Sequence, residues 1–376
     1  MKKKILFLYL NTGAGHISSA RSIADCLNTN YSDTHETQLV NGFEETNKIV
    51  KYMIEDGYRI SQAKAKWAFE FLYALNKCKP IAQFYSFLVS IFVKKYLKKI
   101  LLAEKPDTVA VLHFFLNKPI LDLVKELKLK TKVLTVVTDP FTAPLVWFLR
   151  KEHHFVIFSD RVKNELIKRG FKEEKLKAFP YILNKKFSTP ASEDEIKALR
   201  DKHGFSQDKK IILLLSGGDG IPKGSSIIKH LLSSDIDAEF ALVCGRNKKM
   251  FDTANQIIQQ HNLQNVKVFG FVDFVFDLTN IANIVITKGG PATVMEILLS
   301  QKIPVISSYI WEQEKGNMEF VVKNHLGVYE TNPAKIPQVI KNLNSNPDQF
   351  NLFLSNIKAL NLRNGTQEVA EYIKDF

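Results

Sequence analysis

The stretch IVITKGGPATVMEILLSQKIPVISSYIWEQEKGNMEFVVKNHLGVY, from Ile284 to Tyr329, says more about what this chain builds than any other. An apolar run ends in Thr287-Lys288-Gly289-Gly290 and breaks into a Gly-Pro turn at Pro291. A helical segment carrying Glu296 follows, then a second apolar run, VISSY, and then the polar loop Glu312-Gln313-Glu314-Lys315-Gly316-Asn317. Strand, glycine turn, helix, strand and polar loop make one βαβ unit. Its polar residues fall at the carboxyl ends of the strands, where open parallel sheets bind ligands. A glycine turn alone also marks ordinary turns; the whole cassette is far more specific.

The alternation continues outward in both directions. KIILLLSGG, AEFALVCG and VKVFGFV precede the cassette. In the first half KILFLYL, ETQLV, TVAVLH, KVLTVVT and HFVIFS alternate with helical segments, the first of them His16 to Asn28. Short Val-, Ile- and Leu-rich runs separated by helices indicate parallel sheets covered on both faces. The class is α/β, and the expected architecture is two Rossmann-like domains facing a central cleft. The expected boundaries are residues 1–186, a polar linker 187–208 with one helix near Glu193 to His203, a second domain 209–345, and helices over 346–376.

Hydrophobic content of 45% and 24% charged residues suit a soluble globular protein. Three widely spaced cysteines, Cys26, Cys78 and Cys244, suggest neither a disulfide framework nor a metal cluster, so a reducing cytoplasm is expected. MKKKILFLYL reads as a first strand rather than a signal peptide, and no run of eighteen apolar residues exists. The charge is uneven. Residues 1–186 carry 32 Lys and Arg against 18 Asp and Glu, whereas residues 187–376 carry 20 against 21. Such asymmetry points to a polyanionic partner. No nucleic-acid motif accompanies it, and the charge lies among apolar helices, so an anionic membrane surface is expected and nucleic acid is not. Between Glu44 and Leu102 aromatics including Trp67, Phe87 and Phe92 are interleaved with lysines including Lys94, Lys95, Lys98 and Lys99. Amphipathic, basic, aromatic-rich helices lie in membrane interfaces; the plainer reading is that these rings pack the helices onto the sheet.

Three more turns carry chemistry-bearing residues. Asn11-Thr12-Gly13-Ala14-Gly15-His16 follows the first strand and opens a helix. Small residues there let a ligand approach the backbone and the free N–H groups of the helix start. His16, with an ordinary pKa near 6.5, suits a general base, and a helix start should lower that value. Ser216-Gly217-Gly218-Asp219-Gly220 ends the first strand of the second half and is suited to cradle a diphosphate through backbone N–H groups without a metal. Arg246 ends the next strand and is placed to face a nucleotide. Asp139 and Trp147 lie in TVVTDPFTAPLVWF; Asp139 reads either as an orienting carboxylate or as a turn residue before Pro140.

These motifs resemble one family. Thr287-Lys288-Gly289-Gly290-Pro291-Ala292-Thr293, Glu296 and Glu312 to Asn317 are similar to the TKAGPGT, Glu and GQEEGN pattern of the monogalactosyldiacylglycerol synthase and processive diacylglycerol glucosyltransferase family. That family is related to the GlcNAc transferase of peptidoglycan precursors. Ala292 and Glu312 stand where the family has glycine. The Gly13-Ala14-Gly15-His16 turn resembles its GGGH turn, and Asp139 and Trp147 match its VTD and TWF elements. The resemblance implies the two-domain fold called GT-B, with a final helix from Thr366 to Phe376 crossing back onto the first domain. It implies His16 as base, assisted by Asp139, with Gly13, Gly15, His113 and Trp147 at the acceptor. Donor contacts are implied for Gly217, Gly218, Arg246, Phe271, Val272, Gly289, Gly290, Pro291, Ala292, Thr293, Glu296, Gln313, Glu314 and Asn317. Within that set Phe271 and Val272 flank the uracil, Glu296 takes the ribose hydroxyls, and Gln313 and Glu314 take the hexose hydroxyls.

The expected function is therefore an inverting transfer of a hexose from UDP-glucose or UDP-galactose to diacylglycerol or a similar lipid. A peripheral protein on the cytoplasmic side of the membrane, using no metal or other cofactor, is expected. A UDP-GlcNAc 2-epimerase of the same fold and a noncatalytic nucleotide-sugar-binding membrane protein are the alternatives.

Overall fold

A segment such as Ile211–Leu215, IILLL, has no polar face to turn to water, and a parallel sheet covered on both sides is where it can be satisfied. All five residues are buried. The computed structural model describes residues 2–11, 14–46, 48–52, 57 and 78–376. It divides into two units: Met1–Lys185 with Asn364–Phe376, and Lys186–Arg363.

The first unit is built on six parallel strands in the order β2-β1-β3-β4-β5-β6. They are β1 (Lys3–Tyr9), β2 (His35–Asn41), β3 (Thr108–Val111), β4 (Lys132–Val136), β5 (His154–Ile157) and β6 (Leu176–Ala178). Helices α1 (Ala14–Asn30), α2 (Lys79–Glu104), α3 (Phe114–Glu126) and α4 (Asp160–Lys168) belong to the same unit. Leu6, Leu8, Val109 and Val111 meet Val93, Leu97, Leu101, Leu116 and Ile120 in one core. The second unit repeats the plan in the order β12-β11-β10-β7-β8-β9. Its strands are β7 (Ile211–Leu215), β8 (Glu239–Val243), β9 (Val266–Phe269), β10 (Ile284–Lys288), β11 (Ile303–Ser308) and β12 (Val328–Tyr329). In both units the sequence reading finds five strands and misses the short outermost one, β6 or β12.

Two boundaries differ from the sequence reading. The expected linker is part of the second unit. Ser192 and Glu195 form a reciprocal capping box on helix α5 (Glu193–His203), and Gly204 ends it in the left-handed conformation. The helices α6 (Gly224–Leu232), α7 (Lys248–His261) and α8 (Val275–Ile281) follow in the same unit. Arg200 is buried and donates to the carbonyls of Ser206, Gln207 and Lys209 at 2.7–3.0 Å and to that of Ile281 at 3.3 Å. Residues 346–376 also divide. Phe353 and Ile357 of the helix Pro347–Ala359 enter the core of the second unit. Only from Asn364 does the chain belong to the first, where Leu183 N donates to Thr366 Oγ1 at 3.1 Å and Tyr31 bonds Glu371 at 3.3 Å.

Candidate active site

In the first unit β1, β3 and β4 are neighbours, so the residues just past their carboxyl ends come together. His16 lies in the first turn of α1, His113 follows β3, and Thr138 and Asp139 follow β4. The Thr138 hydroxyl bonds His16 Nδ1 at 2.9 Å, and both residues are buried. Tyr181 donates its hydroxyl to the Thr138 carbonyl at 3.1 Å. The next residue, Asp139, accepts from the Trp147 indole at 2.7 Å. The His113 ring stands edge-on to His16 with centroids 4.8 Å apart, and its Nδ1 accepts from Phe115 N as the cap of α3. Burial lowers the pKa of His16 to about 4, partly offset by a hydrogen bond to the Leu112 carbonyl. His113 is held well below its ordinary value by burial first and by His16 second. At neutral pH both rings are uncharged, and burial rather than the helix start is the main cause.

Burial also corrects the expected acceptor contacts. His113 is 2% exposed and Trp147 1%, so neither offers an open face; they pack behind His16, with the Trp147 and His16 centroids 6.2 Å apart. Gly15 is in α1, and space for a Cβ is open there. Gly13 lies outside the described residues.

In the second unit two glycine turns touch. A Cβ on Gly245 would stand 2.3 Å from the Gly217 carbonyl oxygen, and its φ of +60° is strained for other residues. Arg246 N donates to the Gly218 carbonyl at 2.8 Å, which closes the two turns on each other. The Arg246 guanidinium lies 4.4 Å from the centroid of Phe271, a ring left exposed, with Val272 half-buried beside it in sequence.

The cassette around β10 is a second knot. Gly289 N donates to the Ser308 carbonyl and Asn317 Nδ2 to the Gly289 carbonyl, both at 2.8 Å. Glu314 Oε2 accepts from Ile310 N at 2.7 Å, and its Oε1 lies 3.5 Å from Lys288 Nζ. Asn317 and Glu314 are buried. Both side chains are engaged by the turn itself, Asn317 at Gly289 and Glu314 at Ile310. Pro291, Ala292 and Thr293 open helix α9 (Pro291–Leu299) after Gly290 and remain half-buried, as does Gln313. Glu296, two turns into α9, has no hydrogen-bond or ion-pair partner among the described residues, and burial pushes its pKa up to about 8. A half-buried carboxyl without a partner is costly unless a ligand completes it.

Helix α2 buries Ala82, Ser86, Val89, Val93, Leu97 and Leu101 on one stripe. Its other side exposes Phe84, Phe87, Ile91 and Phe92. The lysines beyond them are less free than their sequence suggests. Lys94 pairs with Glu126 at 2.6 Å, Lys98 approaches it at 4.0 Å, and Lys99 bonds Glu45 at 2.8 Å. Lys95 alone of the four has no acidic partner among the described residues. Trp67 lies outside the described residues. No helix among them is long and apolar enough to cross a membrane.

Thr138, Tyr181 and Lys288 are the site residues that sequence reading passes over. Thr138 and Lys288 lie within quoted motifs and Tyr181 outside them, and none is a residue type that announces chemistry.

Known proteins resemble this chain along most of its length. The family model for monogalactosyldiacylglycerol (MGDG) synthase matches residues 16–180, and that for the glycosyltransferase family 28 C-terminal domain matches residues 222–371. A chloroplast protein of Nicotiana tabacum named probable monogalactosyldiacylglycerol synthase is 25% identical over 347 residues, 90% of this chain. The chain spans 64% of the length of that protein. The processive diacylglycerol β-glucosyltransferase of Bacillus pumilus is 24% identical over 99% of this chain and 94% of its own. Among solved structures, MurG of Acinetobacter baumannii shares the fold with a TM-score of 0.64 at 13% identity, covering 100% of both chains. So does the UDP-GlcNAc 2-epimerase of Neisseria meningitidis, at 0.56 and 16%, over 100% of this chain and 99% of its own. Two parallel six-stranded units of GT-B type, matched in succession by these two domain models, make the chain similar over most of its length to the monogalactosyldiacylglycerol synthases and processive diacylglycerol glucosyltransferases.

Proposed function

We propose that this protein transfers a hexose from UDP-glucose or UDP-galactose to diacylglycerol or a closely similar lipid, with inversion, at the cytoplasmic face of a membrane. The observation that carries this reading is the likeness of nearly the whole chain to a protein named as a processive diacylglycerol β-glucosyltransferase.

The residues support a division of labour. In the first unit His16 is neutral and takes the proton of the acceptor hydroxyl. The hydroxyl oxygen forms its bond to the anomeric carbon as the bond to the diphosphate breaks, and the electron pair leaves with UDP. In the second unit the N–H groups of the Gly217-Gly218 turn, with the N-terminus of α9, stabilise the leaving diphosphate. Glu296 receives the ribose diol, Phe271 and Val272 flank the base, and Gln313 meets the hexose. Asn317 and Glu314 keep the turn in shape. Asp139 acts through Trp147, which backs the His16 ring. The row Phe84, Phe87, Ile91 and Phe92 enters the headgroup region, with Lys95 near anionic lipid.

An epimerase of the same fold is the alternative. The match of residues 16–180 to the synthase model favours the transferase. Incubation with labelled UDP-glucose, UDP-galactose or UDP-GlcNAc and diacylglycerol vesicles tests the reading. Label in a glycolipid is expected from one of the first two. Label remaining in an epimerised UDP-sugar, with none in lipid, would overturn the proposal.

A further inference from the structure

We propose that Thr138 is a positioning residue for His16: its hydroxyl holds the ring by Nδ1 and so sets where Nε2 points. This rests on the reading of His16 as the base and deepens it.

The observation is the 2.9 Å contact between Thr138 Oγ1 and His16 Nδ1, made between side chains 3% and 9% exposed. A neutral imidazole has one N–H and one lone pair, and its two nitrogens are not interchangeable. With Nδ1 engaged by Thr138, Nε2 is the nitrogen left to receive a proton. With the Leu112 carbonyl also accepting from the ring, it can do so only when Nδ1 bears the hydrogen and shares it between that carbonyl and Thr138 Oγ1. A hydroxyl is suited to this because it accepts as well as donates. A carboxylate in the same place would favour the charged ring and hold on to the proton that the cycle must release. The hydroxyl orients without trapping charge.

Thr138 is itself held. It follows the last residue of β4 by two positions, and the Tyr181 hydroxyl pins its carbonyl at 3.1 Å. The adjacent Asp139 fixes Trp147, whose ring lies 6.2 Å from that of His16. Two consecutive residues of one turn thus restrain the imidazole through its nitrogen and through its packing. In the step itself the acceptor O–H bond breaks, the proton goes to Nε2, and the oxygen's electron pair forms the glycosidic bond as UDP leaves. Nδ1–H stays on Thr138 throughout, and the imidazolium formed is neutralised when Nε2 releases its proton to solvent after UDP departs.

The test is a set of four variants assayed with the same UDP-sugar and diacylglycerol vesicles. Thr138→Val keeps the shape and removes the hydroxyl; kcat should fall by about tenfold to a hundredfold, the range of one lost orienting hydrogen bond, with donor KM unchanged. Thr138→Ser should restore kcat to within a few-fold of the parent. His16→Ala should abolish most turnover, and adding Thr138→Val to it should cost nothing further, because residues acting as one unit are not additive. Thr138→Ala gives the same reading if the valine variant does not fold. A Val or Ala variant with parental kcat, a Ser variant as impaired as Val, or a double variant whose losses multiply would overturn the proposal while leaving His16 as base. Near-normal turnover in His16→Ala would instead overturn the base assignment itself.

Discussion

Replacing Glu296 by glutamine should make the second unit more stable at neutral pH and weaken its hold on UDP. The carboxyl has an ordinary pKa of 4.5, and burial pushes it up to about 8. Because the folded value is raised, the unfolded chain gives up this proton first. Stability is therefore intact below pH 4.5 and is lost as pH rises from there to about 8. At pH 7 the unfolded carboxyl is about 2.5 units past its midpoint, which at 1.36 kcal/mol per unit is a penalty of about 3 kcal/mol. Glutamine removes the titration but leaves an amide without a partner, at a cost of about 1 kcal/mol. The net effect is a gain of about 2 kcal/mol at pH 7 and a loss of up to about 1 kcal/mol near pH 4.5. For a unit of this size the gain at pH 7 is a rise in melting temperature of roughly 4–8 °C. Calorimetry of parent and variant at pH 5 and pH 7.5 measures it. The second half of the prediction concerns the ligand. A ribose diol donating to the carboxylate is worth roughly 1.5–3 kcal/mol, so UDP affinity should fall by at least tenfold. Proton release on binding, seen as a buffer-dependent enthalpy in the parent, should vanish. A variant whose stability advantage is the same at both pH values would refute the argument that an unpartnered, desolvated carboxyl is present. Unchanged UDP affinity would refute the ribose assignment.

Three further outcomes are expected. His16→Ala should retain UDP binding, since the donor residues belong to the other unit, while turnover falls by on the order of 10²–10⁴-fold. The first unit should be acid-labile: His16 and His153 are lowered to about 4, and His113 is held well below its ordinary value, mainly by burial. Their folded values lie below the ordinary 6.5, so stability is complete above that pH and is lost as pH falls, by about 2 kcal/mol at pH 5 for each of His16 and His153. A thermal transition of the first unit that does not move between pH 7 and pH 5 would contradict this. At the membrane, Phe87→Ser with Phe92→Ser should lower vesicle binding more than Lys94→Gln with Lys99→Gln, because both lysines already have acidic partners. Cosedimentation with anionic vesicles ranks the two, and the reverse order would return the lysines to the leading role.

The central parallel strands are legible because they are buried on both faces and so read as unbroken apolar runs. β6 and β12 escape because an outer strand of two or three residues has one neighbour and needs no such run. The linker reading fails for a different reason. A polar helix with a capping box looks detachable, and only the tertiary structure places Arg200 among carbonyls drawn from four separate residues. In the site, the glycine turns are legible because their geometry is local: Gly245 must be glycine to let the Gly217 carbonyl pass. What is not local is which motif residues face a ligand. Asn317, Glu314, His113 and Trp147 are the residue types a binding site uses, yet each is turned inward to hold a loop or a ring. Consecutive residues past a strand end point to different neighbours, so a one-position difference decides that Thr138 meets His16 while Asp139 meets Trp147. A motif marks the neighbourhood of the chemistry. Burial and hydrogen-bond partners then separate the groups placed to touch substrate, such as Glu296 and Phe271, from those that keep them in place.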